Sequence, residues 1–171
     1  PTGPVVVVVM DGVGVGRHDA GDAVFLARTP TMDWLDKVAI RTELAAHGTH
    51  VGMPSDADLG NSEVGHNALG AGKIYDQGAK LVDAAIRSGA LFDPNADESQ
   101  TWRAMVEQVN SNQSTLHLIG LLSDGNVHSN IDHVEAISHD AVKKGVGRIR
   151  LHVLLDGRDV SGQSADTYVK Q

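Results

Sequence analysis

The unbroken apolar run Val5-Val6-Val7-Val8-Val9-Met10 is almost wholly β-branched and reads as a strand buried on both faces, as in a parallel sheet. Residues 30–38 follow helical spacing, with Thr29 or Thr31 near the cap and Met32, Leu35 and Val38 three residues apart. Residues 42–46 read as a short strand. Residues 47–59 are rich in Gly, Pro, Asp and Ser and read as a loop. A short helix led by Ser62 covers 61–69, and another covers 76–87 and ends near Ser88-Gly89. Residues 98–110 are amphipathic, with Trp102, Met105, Val106 and Val109 on one helical face. A strand at 114–122, a helix at 131–144 that turns Ile131, Val134, Ile137 and Ala141 inward, and a strand at 148–155 complete a βαβ unit. Such a unit predicts parallel strands joined by a right-handed crossover. The alternation makes the fold class α/β with a parallel sheet.

Composition narrows this further. The 171 residues are 41% hydrophobic and 21% charged, within the range of a globular protein, but only 4% aromatic, so Val, Leu, Ile and Ala must build the core. The net charge of −8 and the lack of a basic run argue against nucleic acid or an anionic membrane as a partner. Any anionic ligand must be met by local positive charge. There is no cysteine, which excludes disulfides, iron–sulfur clusters and thiolate zinc sites and fits a cytoplasmic setting. No apolar stretch approaches the roughly 20 residues that span a bilayer. The chain starts at Pro1 and stops within what reads as the first turns of a helix after Ser164. We therefore expect an N-terminal piece of a longer protein.

Four segments carry candidate chemistry. Asp11 closes the first strand, and ligands of open α/β sheets sit beyond the carboxyl ends of strands. The glycines at 12, 14 and 16 resemble a dinucleotide fingerprint, but the third required glycine falls on Arg17 and the polar residues after it are unsuited to open a packed helix. Asp11-Gly12 alone is a common turn dipeptide. In Gly60-Asn61-Ser62-Glu63-Val64-Gly65-His66 a serine stands at a helix start, where free N–H groups and the helix dipole suit a phosphate. That serine is either a plain N-cap or a nucleophile, and the second role needs something to remove or mask its proton. A metal bound by a carboxylate such as Asp11 would serve. His128 in Ser123-Asp124-Gly125-Asn126-Val127-His128-Ser129, and Arg158 and Asp159 in Leu155-Asp156-Gly157-Arg158-Asp159, each follow a strand of the βαβ unit. Read alone, these are a solvated histidine and a turn with a surface ion pair.

Taken in order, Val9-Met10-Asp11-Gly12-Val13-Gly14 and the three motifs around Ser62, His128 and Arg158 resemble cofactor-independent phosphoglycerate mutase. The wording Met53-Pro54-Ser55-Asp56-Ala57-Asp58-Leu59 is similar to the plant and trypanosomatid branch. The resemblance implies interconversion of 3- and 2-phosphoglycerate in glycolysis and gluconeogenesis, through a phosphoserine at Ser62 and without 2,3-bisphosphoglycerate. It implies two divalent ions, manganese first with magnesium or cobalt as alternatives, with Asp11 and Ser62 among their ligands. It makes His128, Arg158 and Asp159 substrate groups: Arg158 as a two-pronged anion clamp and Asp159 as an acceptor from a glycerate hydroxyl.

The family's architecture implies an incomplete alkaline-phosphatase-like half over residues 1–75 and the start of a transferase half over 76–171. The remaining ligands and substrate arginines would lie past Gln171, so the piece alone should be inactive. A small-molecule substrate, no nucleic acid or membrane partner, a monomeric full-length protein and cytoplasmic location complete the expectation. His66 reads as a packing or hydrogen-bonding residue, and Asp56 and Asp58 receive no role. Two rivals are a phosphatase or phosphopentomutase of the same metal-dependent superfamily, and a non-catalytic nucleotide-binding module.

Overall fold

A computed structural model describes residues 2–171, which divide into two units, 2–44 and 45–171. In the first unit, Asp22 caps a single turn, α1 (Ala23–Leu26), by accepting from the Phe25 N–H at 3.0 Å. Helix α2 (Pro30–Val38) begins on a proline, whose missing N–H is one of the helix's unpaired donors in any case. Thr29 Oγ1 donates to Asp33 Oδ1 across its first turn.

The strand expected at residues 5–10 does not form. The segment is exposed along its length, and among the described residues no strand pairs with it. β-Branched residues favour an extended chain, but a strand is fixed by ladder hydrogen bonds to a neighbour, which this segment lacks here. The strand expected at 42–46 is absent for the same reason.

In the second unit a 3-10 turn (Gly48–Val51) leads to α3 (Ser62–Ala71) and α4 (Gly78–Ser88). After a second 3-10 turn (Asp97–Ser99) come α5 (Gln100–Ser111), β1 (Leu116–Leu121), α6 (Ile131–Lys143), β2 (Ile149–Leu154) and α7 (Ala165–Lys170). The two strands pair in parallel from Leu116↔Ile149 to Leu121↔Leu154, as the βαβ reading requires. Trp102, Val106, Leu116, Ala141 and Val146 form the main core, with Phe92, Val109, Leu118, Ile137 and Ile149 packed against it. Of the expected apolar face of α5, Met105 is instead exposed.

Trp102 Nε1 donates to Asp140 Oδ2 at 2.6 Å, and Lys144 bonds the same carboxylate and the Phe92 carbonyl. The indole thus joins α5 to α6 through a charged bond, a stronger tie than apolar contact alone. A smaller cluster of Val51, Met53 and Val64 lies under the start of α3.

Within the second unit the chain on either side of residue 75 is joined. Gln77 N donates to the Gly52 carbonyl at 3.0 Å, and a side chain at Gly52 would collide with the Tyr75 carbonyl. Residues 45–75 are thereby fastened to the start of α4.

Candidate functional site

Gly60, at φ 73°, turns the chain into α3, and a β-carbon there would stand 3.1 Å from Val64 Cγ2. Only glycine takes both the left-handed backbone and the close approach without strain. Asn61 is the N-cap: its side chain accepts from the Val64 N–H at 3.1 Å. Ser62 is therefore the first helical residue and is released from capping. Its side chain is exposed at the positive end of the helix dipole.

His66 Nδ1 lies 2.7 Å from the Ser62 carbonyl and 3.2 Å from Ser62 Oγ. A carbonyl can only accept, so Nδ1 carries the proton and cannot take the one on Ser62. His66 is a hydrogen-bonding histidine of the helix, as the sequence suggested, and not a general base for this serine.

The loop after β1 and the loop after β2 pack on each other. Ser123, 1% exposed, donates from Oγ to Asp156 Oδ2 at 2.7 Å. Asp156 Oδ1 accepts the backbone N–H groups of Arg158 at 3.0 Å and Asp159 at 3.1 Å. The Arg158 N–H, and after it the Ser123 hydroxyl, hold the Asp156 carboxyl below its usual range. Where Gly125 stands, a β-carbon would meet Asp159 Cβ at 2.8 Å. His128 Nε2 is 4.0 Å from Asp159 Oδ2, with the imidazole half exposed and the carboxylate almost covered. The Arg158 side chain is exposed. Tyr168 of α7 donates to Asp124 Oδ1 at 2.5 Å, tying a third segment to the first loop.

A second polar chain ties the His128 loop to the segment before Ser62. Asp58 Oδ2 accepts from Ser55 N and Oγ, both at 2.7 Å, and Asp58 Oδ1 accepts from Asn126 Nδ2 at 2.8 Å. Asn126, at φ 59°, accepts in turn from Asn130, the N-cap of α6. Two adjoining clefts result. One, of about 150 Å³, is lined by Gly60, Asn61, Glu63 and Gln77; the other, of about 200 Å³, by His128, Asn130 and His133. Gly78, Ala79, Asn126 and Val127 border both.

Of the five site residues expected from sequence, Ser62, His128, Arg158 and Asp159 belong to the second unit and Asp11 to the first. Asp11 is exposed and its Oδ1 accepts from the Gly12 N–H at 3.0 Å, an ordinary Asp-Gly turn. The glycines after it do not open a helix, since α1 begins only at Ala23 and is four residues long. That removes the geometry a dinucleotide loop needs. Sequence reasoning missed Ser123, Asp156, Asp58 and Asn126. A signal existed for one of them: an aspartate two and three residues ahead of the N–H groups it caps is the pattern of an Asx turn.

Among the described residues no group of three or more His, Asp or Glu side chains is placed to hold a metal ion, and no helix is long and apolar enough to cross a membrane. The second unit carries one hydroxyl at a helix N-terminus and, on two interlocked loops, an imidazole, a guanidinium and a carboxylate.

Residues 82–171 match the family model described as BPG-independent PGAM N-terminus. The 2,3-bisphosphoglycerate-independent phosphoglycerate mutase of Trypanosoma brucei brucei is 50% identical over 167 residues, covering 96% of this chain and 29% of that protein. The enzyme of the same name from Zea mays is 47% identical over 168 residues, covering 97% and 29%. A crystal structure of Leishmania mexicana phosphoglycerate mutase at low cobalt concentration superposes with a TM-score of 0.80 at 49% identity, covering 95% of this chain and 29% of that one. The chain spans about 30% of the length of the curated relatives it matches. It belongs to the BPG-independent phosphoglycerate mutase family.

Proposed function

We propose that this chain is the N-terminal part of an isomerase that interconverts 3- and 2-phosphoglycerate without 2,3-bisphosphoglycerate. The observation that carries the reading is the interlock of the His128 and Arg158–Asp159 loops, in the unit that also presents Ser62 at the start of α3. In this reading Ser62 Oγ attacks phosphorus and gives up its proton, the bond to the glycerate 3-oxygen breaks and that oxygen takes up a proton, leaving a phosphoserine and glycerate. Phosphoryl transfer asks mainly for positioning and charge neutralisation. The first-turn N–H groups of α3 face the transferred phosphoryl. Arg158 clamps an anionic oxygen of the substrate, and His128 donates to it. Glycerate stays bound, Asp159 takes the proton of the attacking 2-hydroxyl, and the phosphoryl group leaves Ser62 for that oxygen. Residues 1–75 open a metal-binding, phosphatase-like half and residues 76–171 a substrate-orienting half. The family match from residue 82 onward supports the second assignment.

Two divalent ions of the manganese class do not fit the residues present. Such ions take about six ligands each. Of the assigned donors, the first unit holds only Asp11 and the second only Ser62, so these 171 residues do not complete a two-metal centre. When bound, such ions would lower the pKa of a coordinated hydroxyl. The reading takes the whole protein to be monomeric and cytoplasmic, and a sequence without cysteine is compatible with that compartment.

The full-length protein tests the reading. Stripped by chelation and resupplied with manganese, it should convert 3- to 2-phosphoglycerate with no bisphosphate added, and mass spectrometry should place phosphate on Ser62. A requirement for the bisphosphate, or phosphate on a histidine, would overturn it.

A further inference from the structure

The structure assigns Asp156 a role that neither the motif nor the functional reading gave it: we propose that Asp156, anchored by Ser123, is the positioning residue that holds Arg158 and Asp159 in register with the His128 loop. The inference rests on the proposed mutase reading, because it concerns the substrate contacts that reading assigns. Asp156 is 8% exposed and its two oxygens face different elements. Oδ1 accepts the N–H groups of Arg158 and Asp159 and so fixes the backbone from which both side chains leave. Oδ2 accepts from Ser123 Oγ, on the loop that carries His128. One carboxylate therefore sets both the turn itself and its distance from the facing loop.

The charged contact of His128 with Asp159 also spans the two loops, but at 4.0 Å it is longer than a hydrogen bond. The backbone hydrogen bonds outside helices and strands include none from residues 156–160 to the facing loop. The loops also meet at Gly125, whose missing side chain lets Asp159 Cβ approach. That contact limits how close the loops come but does not draw them together. The Ser123–Asp156 bond does so, and it is buried, where a charged hydrogen bond is stronger than at the surface. Asp156 does not touch substrate in this account. It acts through Arg158 and Asp159, whose clamp tolerates little displacement, since roughly 1 Å of misplacement can cost on the order of a hundredfold.

The test uses the full-length protein and three variants. Asp156→Asn keeps the topology: its carbonyl oxygen accepts the two N–H groups, and its amide donates to Ser123 Oγ acting as acceptor. It should hold KM for 3-phosphoglycerate within about fivefold of wild type. Asp156→Ala removes all three bonds and should raise KM by about 10- to 100-fold, as expected when charged hydrogen bonds are lost. Manganese content and phosphorylation of Ser62 should stay unchanged, and amide hydrogen exchange at residues 158 and 159 should be faster. Ser123→Ala removes only the bond between loops and should raise KM by several fold even if Asp156→Ala fails to fold. Released inorganic phosphate should rise in both alanine variants, because glycerate held loosely escapes before it can take the phosphoryl group back. An active wild type whose Asp156→Ala and Ser123→Ala variants keep KM within twofold overturns the inference alone. Equal damage from Asn and Ala overturns it too, since the bonding pattern would not be what matters. An inactive wild type overturns the functional reading and the inference with it.

Discussion

Alanine at position 125 should damage activity far more than its size suggests. The added β-carbon would lie 2.8 Å from Asp159 Cβ, 3.4 Å from the Asp159 carbonyl oxygen and 3.5 Å from Asp156 Oδ2. Carbon atoms in contact prefer about 3.5–4.0 Å, so the two loops must part by roughly 0.7–1.2 Å. Overpacking of this kind costs about 1–3 kcal/mol of stability, which a folded domain can survive. Its larger effect falls on geometry. The parting separates Asp159 and Arg158 from the loop of His128, and about 1 Å of misplacement can cost on the order of a hundredfold in rate. We expect kcat/KM for 3-phosphoglycerate in the full-length protein to fall by about 10- to 100-fold, with Ser62 still phosphorylated. Gly120→Ala is the control, because its β-carbon would meet only Ser129 Oγ at an ordinary 3.7 Å. It should keep kcat/KM within about twofold of wild type. If Gly125→Ala is folded and keeps wild-type kcat/KM, the contact between the loops does not set the site and the argument fails.

The same structure fixes three further outcomes. Because Asn61 and not Ser62 caps α3, Asn61→Ala should cost ~1 kcal/mol of stability whereas Ser62→Ala should melt near wild type and lose phosphoryl transfer; the reverse ranking in thermal melts would refute the cap assignment. Trp102→Phe removes the indole bond to Asp140 and should cost about 1.5–3 kcal/mol, read from denaturant unfolding of the full-length protein, with unchanged stability counting against the α5–α6 tie. The Asp156 carboxyl is held below its unfolded value, so its contribution is complete above about pH 4 and is lost as pH falls through the lower folded value. The difference in melting temperature between wild type and Asp156→Ala should therefore be largest near neutrality and shrink in acid, and a difference independent of pH would contradict the assignment.

What the sequence made legible tracks the range of the interactions involved. Helix α2 begins and ends where proline and periodicity place it, because capping and the i, i+3 rows are local. The parallel pair β1–β2 was legible because two apolar runs flank a single helix, and a short crossover leaves little choice of partner. Residues 5–10 carry a stronger apolar signal than either strand yet form none, because a strand depends on a neighbour that its own residues do not name. The start of α3 shows the same limit at one residue: Asn61 and Ser62 are both good caps, and only the Asn61–Val64 bond shows which of them caps the helix.

The site divides in the same way. Motif residues such as Arg158 and His128 stand out because they sit in glycine-marked turns at strand ends. The groups that aim them do not, since Ser123 and Asp156 lie 33 positions apart and Asp58 and Asn126 lie 68 apart. A serine or an aspartate in a loop looks solvated until the fold buries it against its partner, and only then must each find a hydrogen bond. The burial of Ser123 and Asp156 is thus the more telling fact about the site. A buried carboxylate that spends both oxygens on two loops does little for folding that an apolar pair could not do, and its presence there is best accounted for by the geometry it imposes on Arg158 and Asp159.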